Sequence, residues 1–277
     1  MAIRIITDTS SDFDFEPLRS RSISMVSMTI NIGEKSYTDG VDLTRAEFYD
    51  ILLSDELTPK TSQPTPQDFL DLFERAKTDG DDVIVLPISS ELSGTMQSAV
   101  NAKNMCGYDR IFIVDTLTAS AGLQFLANAA EKMAADGLSA EKIVDRLNNI
   151  KNRIRIYLGI DTLKYLYRGG RLSRVEAGVG TLASIRPLLA LQNGKLEVVA
   201  KCMGTKKAIR RLAELISSHK PDPEFAMQFI YSYDDANCRA LMQHFPGCEN
   251  APLIELGPAI ACHTGPGVYA AVFVEAE

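Results

Sequence analysis

The sequence predicts an α/β fold in two parts. The amino-terminal part is a parallel sheet with helices on both faces, and the carboxyl-terminal part is α/β with a mixed sheet. Three observations carry this. Short apolar strand-like runs alternate with helical stretches through the first half, which is how strands buried on both faces of a parallel sheet read. In the second half Asn193-Gly194 separates two strand-like runs, a strong short-range signal of an antiparallel hairpin. A chain of 277 residues, at about 150 residues per domain, makes one large domain or two modest ones. The pattern changes near residues 153–155, which divides the chain into residues 1–155 and 156–277.

The first part is justified element by element. Residues 3–6 are a short apolar run that breaks into Thr7-Asp8-Thr9-Ser10-Ser11. Residues 23–32 read as one long strand ending at Gly33, with a further strand over 37–41. Thr44, with Glu47 three residues on, forms a capping box for a helix from 45 to about 53. Thr65-Pro66 opens the next helix, with Pro at its first position, and Phe69, Leu72, Phe73 and Ala76 share one face. Strands follow at 83–88 and 111–114, with a helix at 96–104 between them. Helices at 123–135, rich in Ala, and at 139–152, with Ile143, Leu147 and Ile150 on one face, complete this part.

The second part opens with a strand at 156–160, a helix at 161–167 and a Gly169-Gly170 stop. The hairpin strands are 185–191 and 195–200. An amphipathic helix at 205–218 comes next. Strands at 225–231 and 252–255, with a helix between, lead to the Gly-rich turn His263-Thr264-Gly265-Pro266-Gly267 and a last strand at 268–274.

Composition excludes several classes. Net charge is −7 and the pI is near 5.2, which argues against nucleic acid or an anionic membrane surface as partner. No apolar run approaches the roughly 18 residues of a membrane span, so a soluble protein without stable membrane insertion is expected. The amino terminus lacks a signal-peptide pattern, which points to the cytoplasm. The five cysteines form no C-x-x-C pair, so neither zinc nor a disulfide framework is expected. No metal and no cofactor is called for.

Polar clusters stand where strands end or helices begin: Thr61-Ser62-Gln63-Pro64, Ser89 to Thr95, Asp115 to Ser120, and His263-Thr264-Gly265. In open α/β sheets ligands bind beyond the carboxyl ends of strands. Ser93-Gly94-Thr95 offers hydroxyls and free backbone N–H groups at a helix start, suited to an anion; simple helix capping is the alternative. His263, beside glycines, is the most informative of three histidines, while His219 and His244 read as surface or capping groups. Gly178 to Ala183 matches a loose dinucleotide fingerprint but follows a helical stretch rather than a strand, so it is rejected. Lys201, Lys206, Lys207, Arg210 and Arg211 make a basic cluster, either a solvated face or a surface for an acidic partner.

Taken together, Tyr37-Thr38-Asp39-Gly40, Thr61-Ser62-Gln63-Pro64, Ser89-Ser90 with Leu92-Ser93-Gly94-Thr95, Gly169-Gly170-Arg171-Leu172-Ser173, Ile185-Arg186-Pro187-Leu188 and His263-Thr264-Gly265-Pro266-Gly267 resemble the DegV family. Each string is weak alone; six in one order are specific. The resemblance implies an α/β/α amino-terminal domain, an α/β carboxyl-terminal domain and a long-chain fatty acid between them. It also implies a role as the lipid-binding, non-catalytic component of a bacterial fatty-acid kinase. A separate ATP-dependent subunit would phosphorylate the bound carboxylate.

On this basis the carboxylate is assigned to Thr61, Ser62, Ser93, the Gly94 N–H and His263. Arg171 and Lys201 are candidates for phosphate or partner contact. One departure stands out: where the family pattern reads Lys-x-Arg-Gly, this chain has Lys201-Cys202-Met203-Gly204, and Met cannot bind an anion. Two other readings compete. One is a carrier or sensor of another small anionic metabolite. The other is an acyl hydrolase using Ser93, Asp115 and His263, although G-x-S-x-G is absent.

Overall fold

The computed structural model describes residues 2–54, 56–172 and 185–277. Ser173 of the fourth string and the rejected Gly178 to Ala183 motif lie outside the described residues.

Four strands make the parallel sheet: β1 (Ile3–Asp8), β2 (Ile23–Val26), β6 (Asp82–Val85) and β7 (Ile111–Ile113), in the order β2-β1-β6-β7. Side chains alternate across it. Ile6, Val83 and Val85 pack with Phe69, Phe73 and Ala76 of α3 (Pro66–Asp79) and with Ala99 and Ala102 of α4 (Thr95–Cys106). Ile5 and Ile84 face the other way, toward α5 (Ala121–Ala135) and α6 (Ala140–Arg153). The Thr65–Asp68 capping box starts α3. Thr44 and Glu47 start α2 (Arg45–Ser54), following the short α1 (Phe15–Leu18).

Residues 23–32 are not one strand. β2 ends at Val26, and the chain resumes as β3 (Thr29–Ile32) in a separate antiparallel sheet. The corner is pinned at Met28, whose N–H donates to Thr9 Oγ1 at 3.1 Å and whose carbonyl accepts from the Asp39 N–H at 2.9 Å. β3 pairs on one side with β4 (Lys35–Thr38), which ends earlier than the sequence suggests, and on the other with β5 (Lys60–Ser62).

The mixed sheet holds β8 (Ile154–Gly159), β9 (Ile185–Gln192), β10 (Lys195–Met203), β11 (Gln228–Tyr231), β12 (Leu253–Glu255) and β13 (Tyr269–Val274). Their order is β10-β9-β8-β13-β11-β12. Only β11 and β12 run parallel. Asn193 and Gly194 turn the β9–β10 hairpin with φ of 49° and 82°, as a type I′ turn requires. One face of this sheet carries α8 (Thr205–Ser217) and α9 (Ala236–Met242), through Leu188, Leu212, Phe229 and Phe273.

Its other face joins the main core. Ile156, Leu158, Leu189 and Val272 cluster there with Leu123, Leu126 and Ala130 of α5, and Phe125 meets Phe225 edge-on with ring centroids 6.2 Å apart. α5 therefore lies between the two large sheets, which is why its apolar face is broad and only the stripe Gln124, Asn128, Glu131 and Lys132 is polar. Two short helices complete the core: α7 (Lys164–Arg168) and α10 (Pro258–Thr264). His263 thus sits in the last turn of a helix rather than in a Gly-rich turn; Pro258 at the first helical position starts that helix. Among the described residues no helix is long and apolar enough to cross a membrane.

Candidate functional site

A cavity opens between the two large sheets. The mixed sheet lines it with Ile156, Leu158, Leu191, Leu196, Ile230 and Ala270. The first half contributes Met28, Ile88, Leu92 and Ala119, and α10 contributes Ala259 and Ile260. Its empty space is about 780 Å³ when the solvent-open mouth is counted in.

Hydrogen-bonding side chains gather on this apolar wall: Thr61, Ser93, Arg171 and His263. The extended backbone of β5 aims Thr61 inward, where its Oγ1 lies 2.8 Å from His263 Nε2. Ser93 precedes α4, and its Oγ is 2.9 Å from Thr95 Oγ1. The Arg171 guanidinium is held by backbone carbonyls, with Nε donating to Leu92 at 3.0 Å and Nη1 to Gly169. Among the described residues no carboxylate pairs with it. Burial lowers its pKa, so the guanidinium is partly withdrawn from water with carbonyl acceptors but no anionic partner among the described residues. Such a group favours an incoming anion.

Burial, assisted by the Arg171 charge, pushes His263 down to about 4, so its ring is neutral near pH 7. Its Nδ1 is buried and has no hydrogen-bond partner among the described residues. The ring lies against Gly169, where an added Cβ would come within 2.2 Å of Nδ1. Gly169 therefore does more than end α7: it makes room for the histidine.

Three sequence-assigned residues lie elsewhere. Ser62 points to the opposite side of β5, exposed, and accepts from Asn31 Nδ2 at 3.0 Å; neighbours on a strand face opposite ways. Gly94 is exposed at the start of α4 and backs onto Gln63, whose Oε1 would be 1.9 Å from an added Cβ. Lys201 lies on the solvent face of β10, opposite Pro187. Much of the remaining polar clustering braces loops. Ser89 Oγ donates to the Gly194 carbonyl at 2.9 Å, clasping the hairpin turn, and Ser90 donates to Asp115. Ser120, the last residue of its cluster, does line the cavity; its place at the end of a strand-end polar run was the available signal.

The geometry assembles no hydrolase triad. Asp115 bonds Ser90 and the Leu117 N–H, while His263 bonds Thr61. His219 is not a loose surface group either: it bridges Glu275 at 2.6 Å and the Tyr157 hydroxyl at 2.7 Å. Among the described residues no group of three or more His, Cys, Asp or Glu side chains is arranged to hold a metal.

Comparison with known proteins agrees with this architecture. The family model described as an uncharacterised protein of the DegV family matches residues 2–276. A DegV domain-containing protein of Caldanaerobacter subterraneus subsp. tengcongensis is 39% identical over 216 residues, 78% of this chain and 77% of its own. A fatty-acid-binding DegV family protein of Thermus thermophilus superposes with a TM-score of 0.89 at 30% identity, covering 100% of both chains. DegV of Bacillus subtilis, described as a fatty acid binding protein, gives 0.85 at 26% identity, again covering 100% of both. With the family model matching from end to end and the same fold in these relatives, the chain belongs to the DegV family.

Proposed function

We propose that this protein binds one long-chain fatty acid in the cavity between its parts, residues 1–155 and 156–277. The tail lies along the aliphatic wall and the carboxylate at Thr61, Ser93, His263 and Arg171. One observation carries the reading. The cavity is largely aliphatic, and on its wall three hydrogen-bonding side chains stand beside an arginine that has no carboxylate partner among the described residues. Each buried methylene contributes about 0.8 kcal/mol, so the tail supplies most of the affinity. The donors supply orientation and offset the cost of burying the carboxylate. The relatives described as fatty-acid binding support the assignment.

In this reading the protein is not itself an enzyme and carries no cofactor. It acts in the cytoplasm and presents the carboxylate to an ATP-dependent kinase subunit, which converts it to an acyl phosphate. Lys201, outside the cavity and exposed, suits contact with that subunit rather than with lipid. The test is denaturing mass spectrometry of ligand extracted from protein purified from a bacterial host. A long-chain fatty acid in one-to-one ratio is expected. Extracts without lipid, together with no thermal shift on adding palmitate or oleate, overturn the reading. Recovery of a phosphorylated metabolite instead replaces it with the small-anion carrier.

A further inference from the structure

Away from the cluster just described, one carboxylate acts on the cavity wall. Asp12 follows the 3-10 turn Thr9–Ser11 at the carboxyl end of β1 and is 4% exposed. Its Oδ1 accepts the Gly257 N–H at 2.7 Å, and its Oδ2 accepts the Ser120 hydroxyl. Arg45 Nη2 donates to its backbone carbonyl at 3.1 Å. Ser120 lines the cavity, as do Leu256 and Ala259 on either side of the Gly257-Pro258 pair. Asp12, Gly257 and Pro258 line a second, outer cleft. The carboxylate therefore stands in the partition between cavity and cleft, tying the start of α5 to the start of α10.

The tied wall is strained. Ser120 has φ 52° and ψ −129°, and Asp12 has φ 56°, conformations that ordinary residues keep only when their surroundings hold them. Ser120 is held by its N–H to the Ser10 carbonyl at 2.8 Å and by its hydroxyl to Asp12.

We propose that Asp12 is a positioning residue for the lipid cavity: its ionised form clamps the wall at Ser120 and Gly257, and its protonation releases the wall and weakens fatty-acid binding. This rests on the fatty-acid reading above. A carboxylate accepts from both neighbours at once, and both are donors. A carboxylic acid must donate its own proton. Ser120 can accept it only by turning its hydrogen elsewhere, beside apolar cavity side chains such as Ala119 and Leu256.

Burial pushes Asp12 up to about 7, opposed by the Ser120 and Gly257 hydrogen bonds and the Arg45 charge. The change of state thus falls near neutrality. The charged and titratable groups acting on it are Arg45 and Tyr49 from α2 and Asp39 after β4; Asp8 on β1 acts on Asp39, and Asp14 and Glu255 on β12 act on Arg45. Asp39 is likewise pushed up, to about 6, by burial.

The experiment titrates oleate onto delipidated full-length protein and onto Asp12→Asn at intervals from pH 6 to pH 8. Taking the ratio of the two affinities cancels the titration of oleate itself. The wild-type advantage is expected to shrink at least threefold between pH 8 and pH 6; a ratio constant with pH overturns the proposal. Ser120→Gly removes the clamped hydroxyl while relieving its backbone. It decides the matter alone should Asp12→Asn fail to fold, and is expected to bind less tightly at pH 8 and to approach wild type at pH 6. A gap between Ser120→Gly and wild type that stays constant from pH 8 to pH 6 likewise overturns the proposal. Failure of the wild-type protein to bind oleate at every pH is a different result: it removes the fatty-acid reading, and the clamp with it.

Discussion

Ser93 and Thr61 each present one hydroxyl to a cavity whose remaining wall is largely aliphatic. Removing such a partner leaves a buried polar group unsatisfied, at about 1–3 kcal/mol. Ser93→Ala and Thr61→Val are each expected to weaken fatty-acid binding by that amount, measured by calorimetric titration, with the melting temperature little changed. Unaltered affinity in both variants places the carboxylate elsewhere. Met203 is 58% exposed on β10 and does not line the cavity. Met203→Arg is therefore expected to leave lipid affinity unchanged and to raise acyl-phosphate formation with a cognate kinase subunit. A charge-assisted bond to phosphate is worth about 1.5–3 kcal/mol, so the gain is tenfold or more. If Arg171 already fills that role, Met203→Arg changes nothing and Arg171→Ala loses turnover. The residues legible in advance were those that ordered strings single out and the fold then aims inward: Thr61, Ser93, Arg171 and His263. Ser62 was not separable from Thr61, because a string of letters does not say which of two strand neighbours faces the ligand. Asp12 and Ser120 went unassigned because their bond joins residues 108 positions apart.

At the scale of elements, periodicity located most helices, but it missed the short helix α10 around His263 and failed at the corner after β2. Residues 23–32 are uniformly strand-like, and nothing local marks the change of sheet at Met28; its cause is a pair of hydrogen bonds to Thr9 and Asp39. The hairpin was legible because the turn chemistry is local. What lay beyond the sequence was its docking: the Gly194 carbonyl is held by Ser89, and Lys195 pairs with Glu91 at 3.1 Å. Gly194→Ala meets two obstacles, a φ of 82° and a Cβ that would lie 2.4 Å from Ser89 Oγ. A residue forced into that backbone region costs about 1–3 kcal/mol. A fall in melting temperature larger than that of Gly80→Ala is expected, since Gly80 has a similar φ of 70° but nothing within 4 Å of an added Cβ. Equal losses would mean that the docking contributes nothing.

For the whole molecule, the buried acids set the sign of the pH response. Asp12 is pushed up to about 7 and Asp39 to about 6 by burial, and Asp8 is raised by the same cause. The folded state holds these protons more tightly than the unfolded chain, whose carboxyls titrate near 4. Their contribution to stability is therefore complete at low pH and is lost as pH rises through the folded values. His263, depressed to about 4, works the opposite way as pH falls toward and below about 6.5, the unfolded histidine value. Between pH 8 and pH 6.5 the acids outweigh it, and His263 offsets part of their gain only near the lower end. The melting temperature of the lipid-free protein is expected to rise on acidification across that window, by on the order of 1 kcal/mol of stability, with Asp12→Asn flattening most of the slope. A melting temperature that falls across the window contradicts the assignment.

The position of α5 bears on how such a chain comes into being. During synthesis the first 155 residues emerge with their own parallel sheet, yet Phe125 and its neighbours find their covering only when Phe225 and the mixed sheet arrive. Until then the nascent amino-terminal part carries an uncovered apolar flank, the kind of surface that chaperones hold and that aggregates when left alone. The visible break in the sequence near residue 155 is thus a poor place to cut. A fragment ending there inherits a helix made for two neighbours and supplied with one, whereas the finished protein has reason to melt in a single step.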